Sequence, residues 1–148
     1  MNHHIAAFQE AEYGQLAEIW FHAVRQTHDF LPEADFQFYH ELIRTGALRE
    51  AELWVAHTED GAATGFLGRS GDKVEMLFVH PARHGQGIGR ALLKHAEGLA
   101  EGPLQVDVNE QNTQAVTFYR RYGFEQTGRS ELDGAGKPFP LLHMELRR

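Results

Sequence analysis

Three glycines at alternate positions, Gly85, Gly87 and Gly89, form the stretch of this chain with the clearest chemical character. They follow the apolar segment KVEMLFVH and precede an amphipathic run that is typical of a helix. A strand, a glycine-rich loop and a helix N-terminus together make an anion site, because bare backbone amides and the helix dipole both face the ligand. The spacing therefore predicts a phosphate-binding loop.

Two phosphate loops and a purely structural explanation can be weighed from the residues alone. A nucleoside-triphosphate loop ends in Gly-Lys-Ser/Thr, whereas this loop ends in Gly-Ile-Gly-Arg, which excludes that class. A dinucleotide site needs an acidic residue about 20 positions further on. Asp107 lies at a tolerable distance, but the elements before the loop come in the wrong order. A tight turn with close helix packing accounts for one glycine better than for three.

A second motif follows downstream. The segment NTQAVTFYRRYGF has the form Asn-x-x-Ala-x-x-Phe-Tyr-x-x-x-Gly-Phe. Together with LFVHPARHGQGIGRALLKHAE it resembles the two signatures of the GNAT superfamily of N-acetyltransferases. The resemblance covers most of residues 50–148 and, by element order alone, the first 45 residues. The closing segment is similar to small single-domain bacterial members of the family.

The resemblance implies that acetyl-CoA is a co-substrate and that its pyrophosphate is held mainly by loop amides. Where the family carries arginine or glutamine, this chain has His84, with Arg83 one place earlier. The implied cofactor-binding residues are Phe78, Val79, His84, Gly85, Gln86, Gly87, Ile88, Gly89, Arg90, Asn112, Ala115 and Phe118. Asn112 is explained equally well as the N-cap of a helix.

Acetyl transfer to an amine needs a neutral amine, a donor for the developing oxyanion and a proton for the departing thiolate. The resemblance assigns the proton to Tyr119, and the competing explanation is a core tyrosine beside Tyr122. For the oxyanion it implies the backbone amide of Phe78 or Val79, freed by a bulge in the fourth strand.

Three side chains are candidates for the general base that deprotonates the amine. Glu75 lies in an otherwise apolar strand, where a carboxylate must be paired or have a raised pKa, and it is the first candidate. Asp107 on the adjacent strand is the second and His80 the third. Each carboxylate is also explained as the solvated rim of a cleft.

The acceptor side is expected to involve the N-terminal helices. The residues of interest there are Trp20, His22, His28, Phe30 and Tyr39. The acceptor is predicted to be a small amine, an amino acid or a peptide amine, attacked directly in a ternary complex. The alternative is a non-catalytic acyl-CoA-binding or regulatory module, and a third hypothesis is dinucleotide binding.

Composition sets further limits. The 148 residues, 42% hydrophobic and 24% charged, predict one domain over 1–148 and a cytoplasmic monomer or homodimer. The net charge of −7 argues against a nucleic-acid partner, and no apolar run suggests a membrane partner. The absence of cysteine excludes a thiol acyl carrier. The ten histidines lack ligand spacing, so no metal is expected.

The helices and strands that position these residues are predicted from the spacing of their hydrophobic residues. Helices are predicted over 9–27, 32–43, 86–100 and 112–123. After a first strand near the N-terminus, further strands are predicted over 51–58, 64–69, 73–80, 103–109, 124–132 and 139–146. The strand over 73–80 is expected to be buried on both faces. The order β-α-α-β-β-β-α-β-α-β-β predicts an α+β fold with a mixed, mostly antiparallel sheet flanked by helices.

Overall fold

A computed structural model describes residues 3–147 of the chain. The predicted domain extends to residues 1, 2 and 148, which lie outside the described residues. The strands are β1 (His4–Ala7), β2 (Glu52–His57), β3 (Ala63–Ser70), β4 (Lys73–Val79), β5 (Gln105–Asn109), β6 (Phe124–Ser130) and β7 (Leu141–Leu146). The helices are α1 (Tyr13–Thr27), α2 (Glu33–Arg44), α3 (Ile88–Leu99) and α4 (Thr113–Tyr122).

The seven strands form one sheet in the order β1-β2-β3-β4-β5-β7-β6. Among the strands of the described residues only β4 and β5 run parallel, and α3 connects them, so the α+β class and the predicted element order are confirmed. The predicted ends agree with the observed ones within two residues, except at the start of α1. There a 3-10 turn, Glu10–Glu12, precedes the helix.

Each face of the sheet packs against two helices. On one face, α3 and α4 bury residues such as Leu92, Val106 and Leu142. On the other face, α1 and α2 cover β2, β3 and β4 through residues such as Leu16 and Phe66. Side chains alternate along a strand, so the residues next in sequence to Val106 in β5 and to Leu142 in β7 point to the opposite face from these two, which is the face of α1. They lie beyond the part of that face that α1 covers.

The sheet opens between β4 and β5. These strands pair only at Lys73 with Gln105 and at Val74 with Val106, and beyond that point they diverge. The prediction that β4 is buried on both faces is therefore wrong for most of the strand. Only Val74 is fully buried, and residues 76–79 are half-buried because β4 has no hydrogen-bonded neighbour on that side.

The bulge in β4 lies earlier than predicted. Gly68 pairs with Met76 and Arg69 with Val74, so Glu75 is the extra residue without a partner in β3. Phe78 and Val79 pair in regular register with Phe66 and Gly65. The expectation of a bulge at Phe78 or Val79 is thus corrected to a bulge at Glu75, directly where β4 leaves β5.

Candidate active site

The glycine loop has a conformation that ordinary residues rarely adopt. Gly85 and Gly87 have φ angles of 80° and 79°, in the left-handed region. A Cβ on Gly89 would lie 3.1 Å from Cζ of Phe118, so a side chain there would force the Phe118 ring to shift. Local geometry therefore gives a reason for all three glycines rather than one.

The amides of the glycine loop make no hydrogen bonds to other residues in the described range 3–147. The first hydrogen bond of α3 runs from the Ala91 amide to the Gly87 carbonyl at 3.0 Å, which leaves the amides of residues 88–90 without a helical partner. Within residues 3–147, the amides of residues 85–87 have no acceptor either. The result is a row of free donors at a helix N-terminus, which suits an anion.

Two side chains support the loop from outside. His80 Nδ1 accepts a hydrogen bond from the Ala82 amide at 3.1 Å and so caps the turn that leads into the loop. His3 Nε2 lies 2.7 Å from the carbonyl oxygen of Gln86 and donates to it. His80, the third candidate for the base, is therefore engaged in shaping the loop.

A cavity of about 330 Å³ adjoins the loop and passes between α1, β4, α3 and α4. Its walls contain all the predicted cofactor-binding residues except Gln86, and they also contain Tyr119. Among the five residues expected on the acceptor side, His28 lines it. The sequence reasoning did not identify Ala23, Thr27, Leu77 and Gln114. The cavity crosses the sheet at the split, since Phe78 comes from the α1 side and Tyr119 from the α4 side.

A second cavity, of about 580 Å³, continues outward between α3 and α4 and shares His84, Arg90, Gln114 and Phe118 with the first. Arg90 and Arg121 make it basic. The remaining lining residues are Thr113, Thr117 and Tyr122. Sequence reasoning missed Thr113, Thr117 and Arg121, although their four-residue spacing places them on one face of α4.

The two tyrosines of the second motif have different surroundings. Tyr119 is 7% exposed and its ring packs edge-on against Phe118 and Phe124. Burial raises the pKa of its hydroxyl, which makes no hydrogen bond to another residue of the described chain. Tyr122 instead donates its hydroxyl hydrogen to Glu97. Only Tyr119 therefore has a hydroxyl without a protein partner beside the inner cavity.

The ladder between β3 and β4 decides which amides of β4 face the split. The His80 amide donates to the Thr64 carbonyl at 2.9 Å. Because hydrogen-bonded pairs alternate along an antiparallel ladder, the Phe78 amide points toward β3, and the amides of Leu77 and Val79 point away from it. Of the two amides predicted for the oxyanion, that of Val79 is the one directed toward the split.

The two candidate carboxylates lie where β4 and β5 part, and neither lines the cavity itself. The Glu75 side chain is 36% exposed, and Oε1 lies 3.7 Å from Lys73 Nζ. The Asp107 side chain is 27% exposed and receives Lys73 Nζ at 2.8 Å and His143 Nδ1 at 2.6 Å. Partial burial on its own would raise the pKa of Asp107, but the hydrogen bonds from His143 and Lys73 outweigh it and lower that pKa.

The remaining predicted residues divide between structural and site positions. Asn112 Oδ1 accepts a hydrogen bond from the Ala115 amide at 3.2 Å, so Asn112 is an N-cap that also lines the cavity. Trp20 stacks on Phe36 in the core, and Tyr39 donates to Asp133.

Residues 3–147 contain neither a cluster of metal ligands nor a membrane-spanning helix. No three His, Asp or Glu side chains there gather as metal ligands. The same range has no helix long and apolar enough to cross a bilayer.

Comparison with known proteins places these features in a family. The family model described as "Acetyltransferase (GNAT) domain" matches residues 25–148. The chain is 48% identical over 130 residues to "Peptidyl-lysine N-acetyltransferase YjaB" of Salmonella typhimurium, covering 88% of each chain. It is also similar to the solution structure of apo-form YjaB from Escherichia coli, with a TM-score of 0.91, 43% identity and coverage of 98% and 97%.

A more distant structure shares the fold. The PaiA N-acetyltransferase of Thermoplasma acidophilum, solved in complex with coenzyme A, has a TM-score of 0.79 at 21% identity and full coverage of both chains. The chain described here therefore belongs to the GNAT family and is an N-acetyltransferase.

Proposed function

We propose that the protein transfers the acetyl group of acetyl-CoA directly to the primary amine of a peptide lysine, in a ternary complex in the cytoplasm. The observation that carries this proposal is the inner cavity. Free loop amides lie at one end of it and the unpartnered hydroxyl of Tyr119 borders it. The names of the relatives support the lysine acceptor.

The donor set of the two cavities suits a pantetheine-bearing nucleotide. The amides of residues 85–90 are oriented to hold its pyrophosphate, and the guanidinium groups of Arg90 and Arg121 are suited to its further phosphate. The apolar surface of Leu77 and Phe118 suits the pantetheine arm, and the outward amides of β4 offer it hydrogen bonds. His84 replaces an arginine or glutamine at the loop entrance without altering these amides.

In the proposed reaction the neutral amine nitrogen attacks the thioester carbonyl carbon. A C–N bond forms, and the carbonyl electron pair moves to the oxygen, which the Val79 amide stabilises as an oxyanion. When this intermediate collapses, the C–S bond breaks and Tyr119 gives its proton to the departing sulfur. The nitrogen, positively charged after its attack, loses its extra proton to solvent, and a proton from solvent restores the Tyr119 phenol. The Tyr119 phenol carries its proton at neutral pH, because burial raises its pKa above the usual range, so it is available as a donor.

For the base that takes the proton of the amine, we place Asp107 ahead of Glu75. Asp107 is held on both carboxylate oxygens and lies at the opening of the split, whereas Glu75 is more exposed and lies on the bulge beside Lys73. An ionised Asp107 also attracts the positively charged side chain of a substrate lysine, before that ammonium group loses its proton. Glu75 remains the alternative.

The test uses purified protein, acetyl-CoA and a panel of lysine peptides and small amines. We expect free thiol to appear together with a peptide that gains one acetyl group on the lysine side chain, detected by mass spectrometry. Calorimetric CoA binding without turnover of any amine would favour a regulatory module instead. Binding of NAD without binding of CoA would favour the dinucleotide hypothesis.

A further inference from the structure

A row of polar side chains crosses the C-terminal half of the sheet. Lys73 Nζ lies 2.8 Å from Asp107 Oδ2, Asp107 Oδ1 lies 2.6 Å from His143 Nδ1, and His143 Nε2 lies 2.6 Å from Ser130 Oγ. One residue comes from each of β4, β5, β7 and β6, in that spatial order. The sequence indicated only Asp107, because the four positions are far apart along the chain.

The hydrogen-bond directions follow from the chemistry of the groups. An ionised Asp107 only accepts, so Lys73 and His143 Nδ1 both donate to it. A neutral His143 then has a bare Nε2, which accepts the hydroxyl hydrogen of Ser130. The tautomer of His143 is therefore set by its two neighbours, and its Nδ1–H is directed at the carboxylate.

The order of the row relative to the split indicates what it does. Asp107 is the first residue of β5 beyond the last pair with β4, so it lies at the opening between the strands. Ser130 lies two strands further away, about 10 Å at the usual strand spacing. The residue types are those of a serine nucleophile triad, but here the carboxylate lies nearest the split and the serine is on the edge strand.

We propose that His143 is a positioning residue for the acetyltransferase reaction, which with Lys73 holds the Asp107 carboxylate ionised and oriented toward the acceptor amine. The proposal rests on the proposed function, in which the proton leaves the amine nitrogen for a carboxylate oxygen of Asp107 and then passes to solvent. His143 acts through Asp107 and exchanges no proton with the substrate. Ser130 holds the His143 ring in the tautomer that donates.

The first test compares His143→Ala with His143→Asn. A general base contributes about 10²–10⁴ in rate, and loss of one of its two anchors is expected to remove about 10-fold to 100-fold from kcat. The KM for acetyl-CoA should stay the same. Because an asparagine amide can donate from nearly the position of Nδ1, His143→Asn should recover most of the rate. His4→Ala, on the exposed end of β1, is the matched control and should leave kcat unchanged.

The second test is a double-mutant cycle. Asp107→Asn should be the more damaging single change, and adding His143→Ala to it should cost little more, because His143 acts only through Asp107. Ser130→Ala should lower kcat by only about 2-fold to 3-fold, with Ser70→Ala as its control. Thermal melting of every variant separates these effects from unfolding.

Several outcomes would overturn the proposal. They are an unchanged kcat in His143→Ala, additive losses in the double variant, no recovery by asparagine, or an acetylated Ser130 in mass spectra. A readout that does not depend on turnover is the ¹⁵N chemical shift of the His143 ring. An Nε2–H tautomer of His143 would refute the assigned contacts even if no amine were acetylated. If His143 has the expected Nδ1–H tautomer but no amine is acetylated, that result would count against the proposed function alone.

Discussion

The two sides of the split between β4 and β5 are built in different ways. On the side that we propose for the cofactor, consecutive residues of one loop offer backbone amides, and Gly85 and Gly87 have left-handed φ angles that favour glycine. On the side that we propose for the acceptor, four side chains from four strands form a hydrogen-bonded row, which includes Asp107 and His143. The first arrangement is local in sequence and the second depends on the register of the whole sheet.

This difference predicts that changes on the two sides of the split affect different quantities, namely the affinity for acetyl-CoA and the rate of the reaction. In the proposed function, backbone amides hold the ground-state anion, so changes in the loop should weaken binding. The side chains at the opening are proposed to act on protons that move only during the reaction, so changes there should lower kcat. A variant that changes the wrong quantity would contradict this division.

The largest effect is expected at Tyr119, which borders the cavity from the α4 side. Tyr119→Phe removes the proton for the departing thiolate while keeping the ring that packs on Phe118 and Phe124. We expect kcat to fall by about 10²–10⁴, with little change in the dissociation constant of acetyl-CoA. Steady-state kinetics and calorimetry measure the two quantities separately.

Tyr13→Phe is the matched control for that experiment, because Tyr13 lies outside both cavities and bonds the Ile43 carbonyl. Full activity in Tyr119→Phe would show that another group protonates the sulfur. A large loss of acetyl-CoA affinity in that variant would mean that Tyr119 serves binding rather than proton transfer.

A smaller effect is expected from a side chain in the loop. Gly87 has a φ of 79°, and a Cβ at this position would meet no atom within 4 Å, so we expect Gly87→Val to act chiefly through backbone strain. A strain of about 1–2 kcal/mol in the binding-competent conformation of the loop lowers CoA affinity by roughly 5-fold to 30-fold. Calorimetric titration with CoA measures this loss, and kcat at saturating acetyl-CoA should change far less.

Gly98→Ala provides the control for a glycine in the same region. Gly98 lies inside α3 with open space around it, so alanine there should leave CoA binding unchanged and stabilise the helix by about 0.5–1 kcal/mol. If Gly87→Val bound CoA as tightly as Gly98→Ala, the conformation of the loop would not be what holds the phosphates.

The sequence was sufficient for the features that short segments determine. The strand, loop and helix around Gly87, the Asn112 cap and the parallel pair after β4 all follow from local spacing and chain order. The bulge at Glu75 was missed, because it arises from a mismatch between β3 and β4 that neither segment reveals alone.

The partners of Asp107 were missed for the same physical reason. In the segment FPLLHMEL, His143 looks like any polar residue on the outer face of an alternating strand. It becomes a partner of Asp107 only because β5 pairs with β7 in a register that places the two residues opposite each other. Such a pairing depends on sheet assembly across 36 residues of chain. The sequence therefore indicated Asp107 as a candidate base, second to Glu75, but it did not indicate which residues hold Asp107.

The smallest expected effect concerns His28, which lines the cavity from the end of α1. Thr27 Oγ1 donates to the Ala23 carbonyl at 2.7 Å and lies 2.8 Å from His28 Nδ1, so the ring donates to the threonine oxygen. Burial lowers the pKa of His28 to about 4, against a smaller opposing effect of Asp29. The folded protein thus keeps this imidazole neutral at a pH where the unfolded chain protonates it.

Because the pKa of His28 is lowered in the folded state, the protein should become less stable as the pH falls. The unfolded chain binds more protons below an ordinary histidine pKa of about 6.5, so the His28 contribution to stability is complete above that pH and is lost as the pH falls toward about 4. Between about pH 7.5 and about pH 5.5, the free energy of unfolding should fall by roughly 1 kcal/mol through this residue. Urea unfolding at both pH values should show a correspondingly smaller fall in His28→Gln, whereas the exposed His4→Gln should behave like the parent. Equal falls in all three proteins would mean that His28 is protonated in the folded state at pH 5.5. The wall of the inner cavity beside α1 would then carry a positive charge.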